Sequence, residues 1–474
     1  MRKLVSFNVE NAISFKEKLL HWAGNFSRCC VLDSSSEFKI QNSEFSNNHY
    51  NCIAGIDSVS EIIPAEKSFD ALKKFQKEKR DWLFGFLSYD LSAKMDGLRF
   101  SAEKSEIEPP ALFSPNEESR KEEGGIRFPL LHFFQPKYVF ILKGNKLEIG
   151  FLPEVSSEEE VKTVFQKNFS LNPLLNTQHS IPNISKRISM QEYIRTANKI
   201  KKHIHRGDIY EMNYCMEFFS ECTEIIPEEI FKRLNETSLS PFSAFYRMND
   251  NYLMCASPER FLKKSGRKII SQPMKGTSGR GADFTEDEMR KEELSKNQKE
   301  QSENVMIVDL VRNDLSKTCN QVKADELFGV YTFRQWHQMI STVSGVMREN
   351  IHFADVIKNA FPMGSMTGAP KIRAMEIIEQ YEKTKRGLYS GAVGYITPDS
   401  DFDFNVVIRS ILYNSSTKYL SFHVGSAITA NSIPENEYDE CLLKAKGMFE
   451  ALKAHPQPLP MGGEHEVEKS ESVF

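Results

Sequence analysis

What the chain has little of excludes several classes at once. Eight cysteines in 474 residues are too few for a disulfide scaffold. None falls in a Cys-x-x-Cys or mixed Cys/His metal spacing; Cys29 and Cys30 are adjacent and the others scattered. They read as reduced core residues of a cytoplasmic protein. A formal charge of −4 with no basic stripe leaves no electrostatic footprint for nucleic acid. Long apolar runs are missing: stretches such as 138–142 are far too short to span a bilayer, so no membrane association is expected. Asn8, Glu10 and Asn11 interrupt the N-terminus, which therefore lacks a secretory apolar region. There is no internal repeat, no Walker A loop and no obvious Ser/His/Asp order. The remaining composition, 40% hydrophobic and 27% charged, is that of an ordinary globular protein, long enough for two or three domains or one large one.

Residues 1–100 alternate short apolar runs with polar segments, and 82–89 (WLFGFLSY), apolar on both faces, predicts a buried strand. Residues 101–127 are rich in Glu, Lys, Pro and Ser and predict a surface excursion. Segments 138–142 and 146–151 flank Lys143-Gly144-Asn145, a hairpin signal. An acidic helix over 157–168 is followed by a Pro/Asn/Ser-rich connection. The expected division is an N-terminal region 1–180, a C-terminal region 185–453, and a Pro/Gly/acidic disordered tail 455–474.

The C-terminal region carries the chemistry, and its centre is QPMKGTSGRG, 272–281. It reads as a tight turn with Pro273 on one side of Lys275 and Gly276, Gly279 and Gly281 on the other. A partly desolvated lysine on such a turn becomes a nucleophile; the plain alternative is a solvated surface hairpin. Upstream, Ser189-Met-Gln-Glu192 is a capping box that opens a helix with Tyr193, Ala197, Ile200 and Ile204 on one face and Gly207 at its end. In GDIYEMNYCMEFF (207–219) the alternation gives one apolar face and one polar face of Glu211, Asn213, Cys215 and Glu217, which reads as solvated.

A charged helix is expected to be capped at 285–288, and another to start at 295–298 and run through ENVMIVDLVRND (303–314). Glu300, Glu303, Ile307, Leu310 and Asp314 share one of its faces. Carboxylates in that position need partners or metal if buried, and nothing if the face is solvated. FPMGSMTGAPKIRAMEII (361–378) is a Gly-punctuated loop entering a helix, and offers N–H groups to an anion. Segments 391–396 and 404–413 read as strands, the second bearing Arg409. GSAITANS (425–432) reads as another turn, and Ser432-Ile-Pro-Glu435 caps a last helix carrying Glu437 and Glu440. This inventory indicates a Mg²⁺-assisted enzyme for a small dianionic substrate, with hard oxygen ligands for the ion and Arg and N–H groups for carboxylates.

GDIYEMNYC, SPERFL (257–262), QPMKGTSGRG, ENVMIVDLVRND, HQMISTVSG (337–345), FPMGSMTGAPKIRAMEII, GLYSGAVGYI (387–396), NVVIRS (405–410) and GSAI…PENEYDECLLKA occur in that order. In this the chain resembles the chorismate-utilising enzymes: anthranilate synthase component I, aminodeoxychorismate synthase component I, isochorismate synthases and salicylate synthases. The resemblance covers roughly residues 185–450, while 1–180 resembles the anthranilate synthase component I-like region only loosely, through WLFGFLSYDL. It implies an α/β (α+β) fold of two antiparallel β-sheets packed as a layered sandwich with helices outside. Water-activating members carry lysine where this chain has Glu211, and amination-type members usually have Gln there. Anthranilate synthases usually have a small residue where Pro273-Met-Lys275-Gly-Thr277 has lysine. The lysine is similar to the aminodeoxychorismate synthase branch, which leads to p-aminobenzoate and folate. Anthranilate synthase component I, or a role in both pathways, is the alternative.

The resemblance also implies roles. Mg²⁺ would be held through Glu303 and Glu440, with Glu300 and Glu437 nearby, and would bridge to the ring carboxylate of chorismate, which Gly276 and Thr277 also contact. Tyr395, Arg409 and the backbone at Gly425, with Ser426 beside it, would hold the enolpyruvyl carboxylate. Glu259 would protonate the hydroxyl leaving carbon 4, which requires a raised pKa; a salt bridge to Arg260 is its plain alternative. Lys275 would attack carbon 2, which requires a neutral amine with a depressed pKa, and ammonia would then displace the adduct at carbon 4. His337 and Thr367 would complete the catalytic set, although His337 reads equally as a satisfied core histidine. Ammonia would come from a separate glutamine amidotransferase subunit, because no triad-bearing nucleophile motif is visible. Segments 31–35 (VLDSS) and 240–243 (SPFS) resemble those that hold tryptophan in relatives, implying a tryptophan site, or its remnant, in the N-terminal region.

Overall fold

The strand Leu83–Leu87 shows how the sequence sets the layers. All five residues are buried, and strand side chains alternate between faces. Phe84 and Phe86 enter a core with Phe134, Val139, Tyr246 and Val393. Leu83 and Leu87 enter another, with Leu72, Phe75, Val308 and Ile357. A run apolar on both faces is thus covered on both, by a second sheet on one side and by helices on the other. The structure is a computed structural model that describes residues 1–34, 50–95, 125–169, 181–238, 240–333 and 336–453. The tail expected over 455–474, and most of the excursion expected over 101–127, lie outside the described residues.

One sheet runs Lys3–Asn8, Lys146–Phe151, Leu131–Lys143, Cys52–Ile62, Arg28–Asp33, Phe242–Met248, Asn251–Ser257, Ser410–Asn414, Tyr419–Thr429, Glu211–Ser220. The other runs Leu83–Leu87, Ala392–Ile396, Phe402–Val406, Arg260–Ser265, Lys268–Gln272, Trp336–Met347, the last also pairing with Met274–Gly279 and Cys319–Thr332. Leu131–Lys143 joins them, since its residues 131–134 pair with 84–87 while its residues 133–142 follow Cys52–Ile62. All of these pairings are antiparallel. The N-terminal strands pair directly with C-terminal ones, so residues on either side of 181–184 build one sheet system.

Helices cover the outer faces. Ala12–Ala23, Glu158–Phe169, Met190–Arg206, Pro227–Ser238, Lys371–Tyr381 and Pro434–Leu452 bury Leu19, Val161, Tyr193, Leu234, Ile377 and Tyr438 against the first sheet. Ser68–Lys79, Gln298–Ser316 and Phe353–Ala360 bury Leu72, Val308 and Ile357 against the second. The fold is the expected α/β sandwich with helices outside. The described cysteines are all free, and only Cys222 is exposed.

Local readings met the structure unevenly. The capping box is present: Glu192 N donates to Ser189 Oγ at 3.2 Å, Ser189 N to Glu192 Oε2 at 2.9 Å, and Gly207 closes the helix at φ 86°. The helices Phe284–Lys296 and Gln298–Ser316 are capped by Asp283 and Asn297, not Thr285 and Ser295, because each of these side chains accepts the orphan N–H three residues on. Ser432 does not cap the last helix; its hydroxyl accepts from Thr429 N at 3.0 Å, closing the turn instead. Residues 425–429 belong to the Tyr419–Thr429 strand, not to a turn. The strand expected over 404–413 is broken after Val406, and Arg409 sits in the break at φ 50°.

Candidate active site

The stretch read as a tight turn is a bulged strand. Pro273 has no N–H to give a ladder, so the chain leaves Lys268–Gln272 there and resumes as Met274–Gly279 along the same neighbour, Trp336–Met347. The register slips between Met274 and Thr277, and Gly276 takes φ 84°. A bulge re-aims a side chain, and here it turns Lys275 inward. Its Nζ donates to Glu211 Oε1 at 2.5 Å. Glu211 is 1% exposed, and the polar face of its strand is buried, not solvated. The 361–370 loop covers it: Asn213 N donates to Thr367 O at 2.8 Å, and Gly368-Ala369 pairs with Met212 and Glu211.

Lys275 is not held neutral. Burial works to lower its pKa, but the Glu211 carboxylate, with Glu303 and Glu440 beyond it, outweighs burial and holds it well above the ordinary lysine value. The direction is thus opposite to the depression expected from the sequence. Glu259 goes the other way. Burial pushes it up to about 7, against the opposing pull of a Ser365 hydroxyl bond and the Lys275 charge. Ser365 Oγ donates to Glu259 Oε1 at 2.7 Å, and both line a cavity of about 340 Å³ that reaches Asp314. Arg260 makes no salt bridge to Glu259; it binds Asp403 at 3.0 Å and Gln272 at 2.6 Å.

The two glutamate-bearing helices bear on the same lysine. Glu303 is buried, and burial, reinforced by Glu211 and Glu300, pushes it up to about 7 against the pull of Lys275. Burial raises Glu300 too, with Lys299 opposing and Glu440 adding. Glu440, half exposed, is bound by Lys444 at 2.6 Å; burial would raise it, but Lys444 first and then Lys275 hold it at about 2. Glu437 accepts the buried Ser426 hydroxyl. These donors are all hard carboxylate oxygens, the type Mg²⁺ prefers. Among the described residues no three such side chains converge as a ready-made metal site. Mg²⁺ commonly takes one or two carboxylates and completes its shell with water and substrate, and Glu303 and Glu440, which both act on Lys275, are carboxylates of that type.

The other expected residues divide. Gly276 approaches Glu300 closely; a Cβ there would lie 3.1 Å from Glu300 Cβ. Thr277 Oγ1 donates to Gln338 Oε1 at 2.9 Å. Gly425 lies against Cys215 and Asn213, and Lys444 Nζ donates to its carbonyl at 2.9 Å. Thr367 is fully buried and its hydroxyl donates to Met363 O at 3.0 Å. His337 has both ring nitrogens occupied, by Asp287 at 2.9 Å and Thr332 at 3.0 Å. Arg409 lies over the Trp336 ring at 5.1 Å. Burial lowers it, while Tyr389 and Glu440 act to raise it. Tyr389 thus acts electrostatically on Arg409, and the sequence reading missed it. Tyr395 does not join this cluster. It is six residues further along the same motif, on the Ala392–Ile396 strand, and its ring turns between the sheets toward Trp82 at 5.7 Å. Trp336, Gln338, Ser365 and Lys444 were also missed, because nothing in their local pattern marks them.

Tyr395 lines a second cavity, of about 490 Å³, with Leu32, Asp33, Ser34, Phe242 and Lys263. The segments 31–35 and 240–243, far apart in sequence, both contribute to it; Ser35 lies outside the described residues.

Residues 27–450 match the family described as chorismate binding enzyme. Aminodeoxychorismate synthase component 1 of Bacillus subtilis is 35% identical over 263 residues, 55% of this chain and 55% of the relative. The anthranilate synthase component I-like protein of Synechocystis is 31% identical over 333 residues, 69% of this chain and 68% of the relative. The matched part thus spans about half the length of the B. subtilis relative. The crystal structure of anthranilate synthase component I from Streptococcus pneumoniae superposes with a TM-score of 0.69 over 84% of this chain and 91% of its own. At 24% identity that likeness is one of fold.

Proposed function

Because this chain belongs to the chorismate-binding enzyme family, we propose that it aminates chorismate at carbon 4, giving 4-amino-4-deoxychorismate, the precursor of p-aminobenzoate and folate. The observation that supports this most is Lys275, largely enclosed on its bulge among glutamates and acting on the protonatable Glu259. Arg409 and Tyr389, with the backbone at Gly425, provide a place for the enolpyruvyl carboxylate, and Gly276 and Thr277 one for the ring carboxylate. When bound at Glu303 and Glu440, Mg²⁺ would neutralise the ring carboxylate. The neutral Lys275 amine attacks carbon 2, both conjugated ring double bonds shift toward carbon 4, and the carbon 4 oxygen departs. Glu259 gives its proton to that oxygen, which leaves as water. Ammonia then attacks carbon 4, both double bonds shift back, and the amine of Lys275 leaves carbon 2. A glutamine amidotransferase partner is proposed as the ammonia source, and the inter-sheet cavity as a tryptophan site.

Anthranilate formation is the second reading, favoured by the Synechocystis relative's name. Incubation with chorismate, Mg²⁺ and ammonium separates the two by product: aminodeoxychorismate is expected, and anthranilate alone would overturn the assignment. Mass spectrometry of protein quenched with chorismate and no ammonia should find an adduct on the Lys275 peptide.

A further inference from the structure

The assignment of Lys275 as nucleophile leaves open what controls it, and the inference here rests on that assignment. We propose that Glu211 is a positioning residue that masks Lys275 in the ligand-free protein, its carboxylate occupying the amine until substrate displaces it. Two neighbouring ion pairs differ from this one. Arg386 and Glu382 hold each other at 2.6 and 2.9 Å; Arg386 also donates to Met366 O and Asn213 O, and Glu382 accepts from Cys215 N at 2.9 Å. Lys371 binds Asp314 together with Ala360 O and Pro362 O. These pairs are saturated, as a pair that serves the fold has to be, because each buried group left open costs stability.

The Lys275–Glu211 pair is not saturated. Glu211 Oε2 is buried without a partner, and the bond to Oε1 is the only one Nζ makes among the described residues. An unsatisfied buried acceptor weakens the pair it belongs to. Such a contact loses little on opening, provided an arriving group supplies what it lacks. While closed it blocks attack twice: the amine's proton is committed to a bond, and the adjacent negative charge favours the ammonium form. The ionisable groups facing Lys275 are Glu211 on its strand, Glu259 at the start of Arg260–Ser265, Glu300 and Glu303 on Gln298–Ser316, and Glu440 on Pro434–Leu452. Only Glu211 is within ion-pair distance of Nζ among the described residues.

Glu211→Gln keeps the shape and removes the charge. Metal-free wild type and E211Q are pulsed with acetic anhydride across a pH series, and acetylation of Lys275 is followed by peptide mass spectrometry. The expected result is about ten-fold faster acetylation of Lys275 in E211Q near pH ~8, with its midpoint about one pH unit lower. Equal rates and equal midpoints overturn the proposal. Should E211Q fail to fold, the wild type decides alone: Lys275 should stay unlabelled where exposed Lys299 reacts, and equal labelling of the two overturns masking. Amination assays keep the two ideas apart. A wild type that aminates while both proteins label alike defeats masking and spares the reaction. An unmasked Lys275 in E211Q, with neither protein aminating, does the reverse.

Discussion

Glu259 shows how one buried carboxyl carries both a catalytic and a stability signature. As general acid it has to be protonated, and burial holds it at about 7. In wild type, kcat/KM should therefore fall as pH rises through that value. In Glu259→Gln the remaining activity should be about 10²–10⁴-fold lower and lack that limb; a retained limb would assign it to another group. The stability effect has the opposite sign. The folded pKa of about 7 lies above the ordinary 4.5, so between them the unfolded chain releases a proton that the folded chain keeps. Stability falls as pH rises through this window, and above it the ionised Glu259 costs on the order of 3 kcal/mol. E259Q should then melt higher than wild type near pH ~8 and alike near pH ~4. An equal gain at both would make it a packing effect. Lys275→Ala should leave no chorismate adduct on the 272–281 peptide, and an adduct found there still would move the nucleophile elsewhere.

Elements were legible where one local rule decided them. The Ser189 to Glu192 box and Gly207 fixed a helix, and Leu83–Leu87, apolar throughout, fixed a doubly covered strand. They were illegible where long-range pairing decided. QPMKGTSGRG has the glycines of a turn, but Trp336–Met347, some sixty residues on, captures it as a strand. The polar face of Glu211–Ser220 reads as solvated until Thr367 and Lys275 close over it. Tyr389 and Tyr395 share one motif, and only the fold tells that Tyr389, in the turn before Ala392–Ile396, acts on Arg409 while Tyr395, on that strand, lines the second cavity. The ordered motifs singled out Lys275 and Glu259, while the opposite directions of their pKa shifts required the three-dimensional arrangement of carboxylates and burial. Gly276 tests the bulge. Its φ of 84° is unfavourable for any residue with a Cβ, and a left-handed conformation costs about 1–2 kcal/mol. A Cβ there would also press on Glu300 and Met339. Gly276→Ala should lower stability by about that amount and slow adduct formation by displacing Lys275. If stability drops and adduct formation is unchanged, the bulge does not aim the lysine.

At the scale of the whole molecule, the 490 Å³ cavity lies where the halves of the chain meet. Leu32, Asp33, Ser34, Tyr50 and Ile53 come from one half, and Phe242, Lys263, Tyr395, Asp403 and Asn405 from the other. Its lining pairs aromatic walls with both signs of charge, which suits an amino acid carrying a large aromatic side chain. A ligand there bridges both sheets, so it binds the folded state alone and stabilises it by mass action, about 2.7 kcal/mol at one hundred times Kd. The expected outcome is a melting temperature that climbs with L-tryptophan concentration in wild type and much less in Tyr395→Ala, whose ring forms one wall. Calorimetry without heat, together with unchanged melting, would leave the cavity without this ligand. Asp403 also binds Arg260, the neighbour of Glu259, so filling the cavity bears on a residue next to the proposed acid. Measured with and without tryptophan, an altered kcat would make the cavity regulatory. An unchanged kcat with raised melting would make it a structural site that ties the two sheets together.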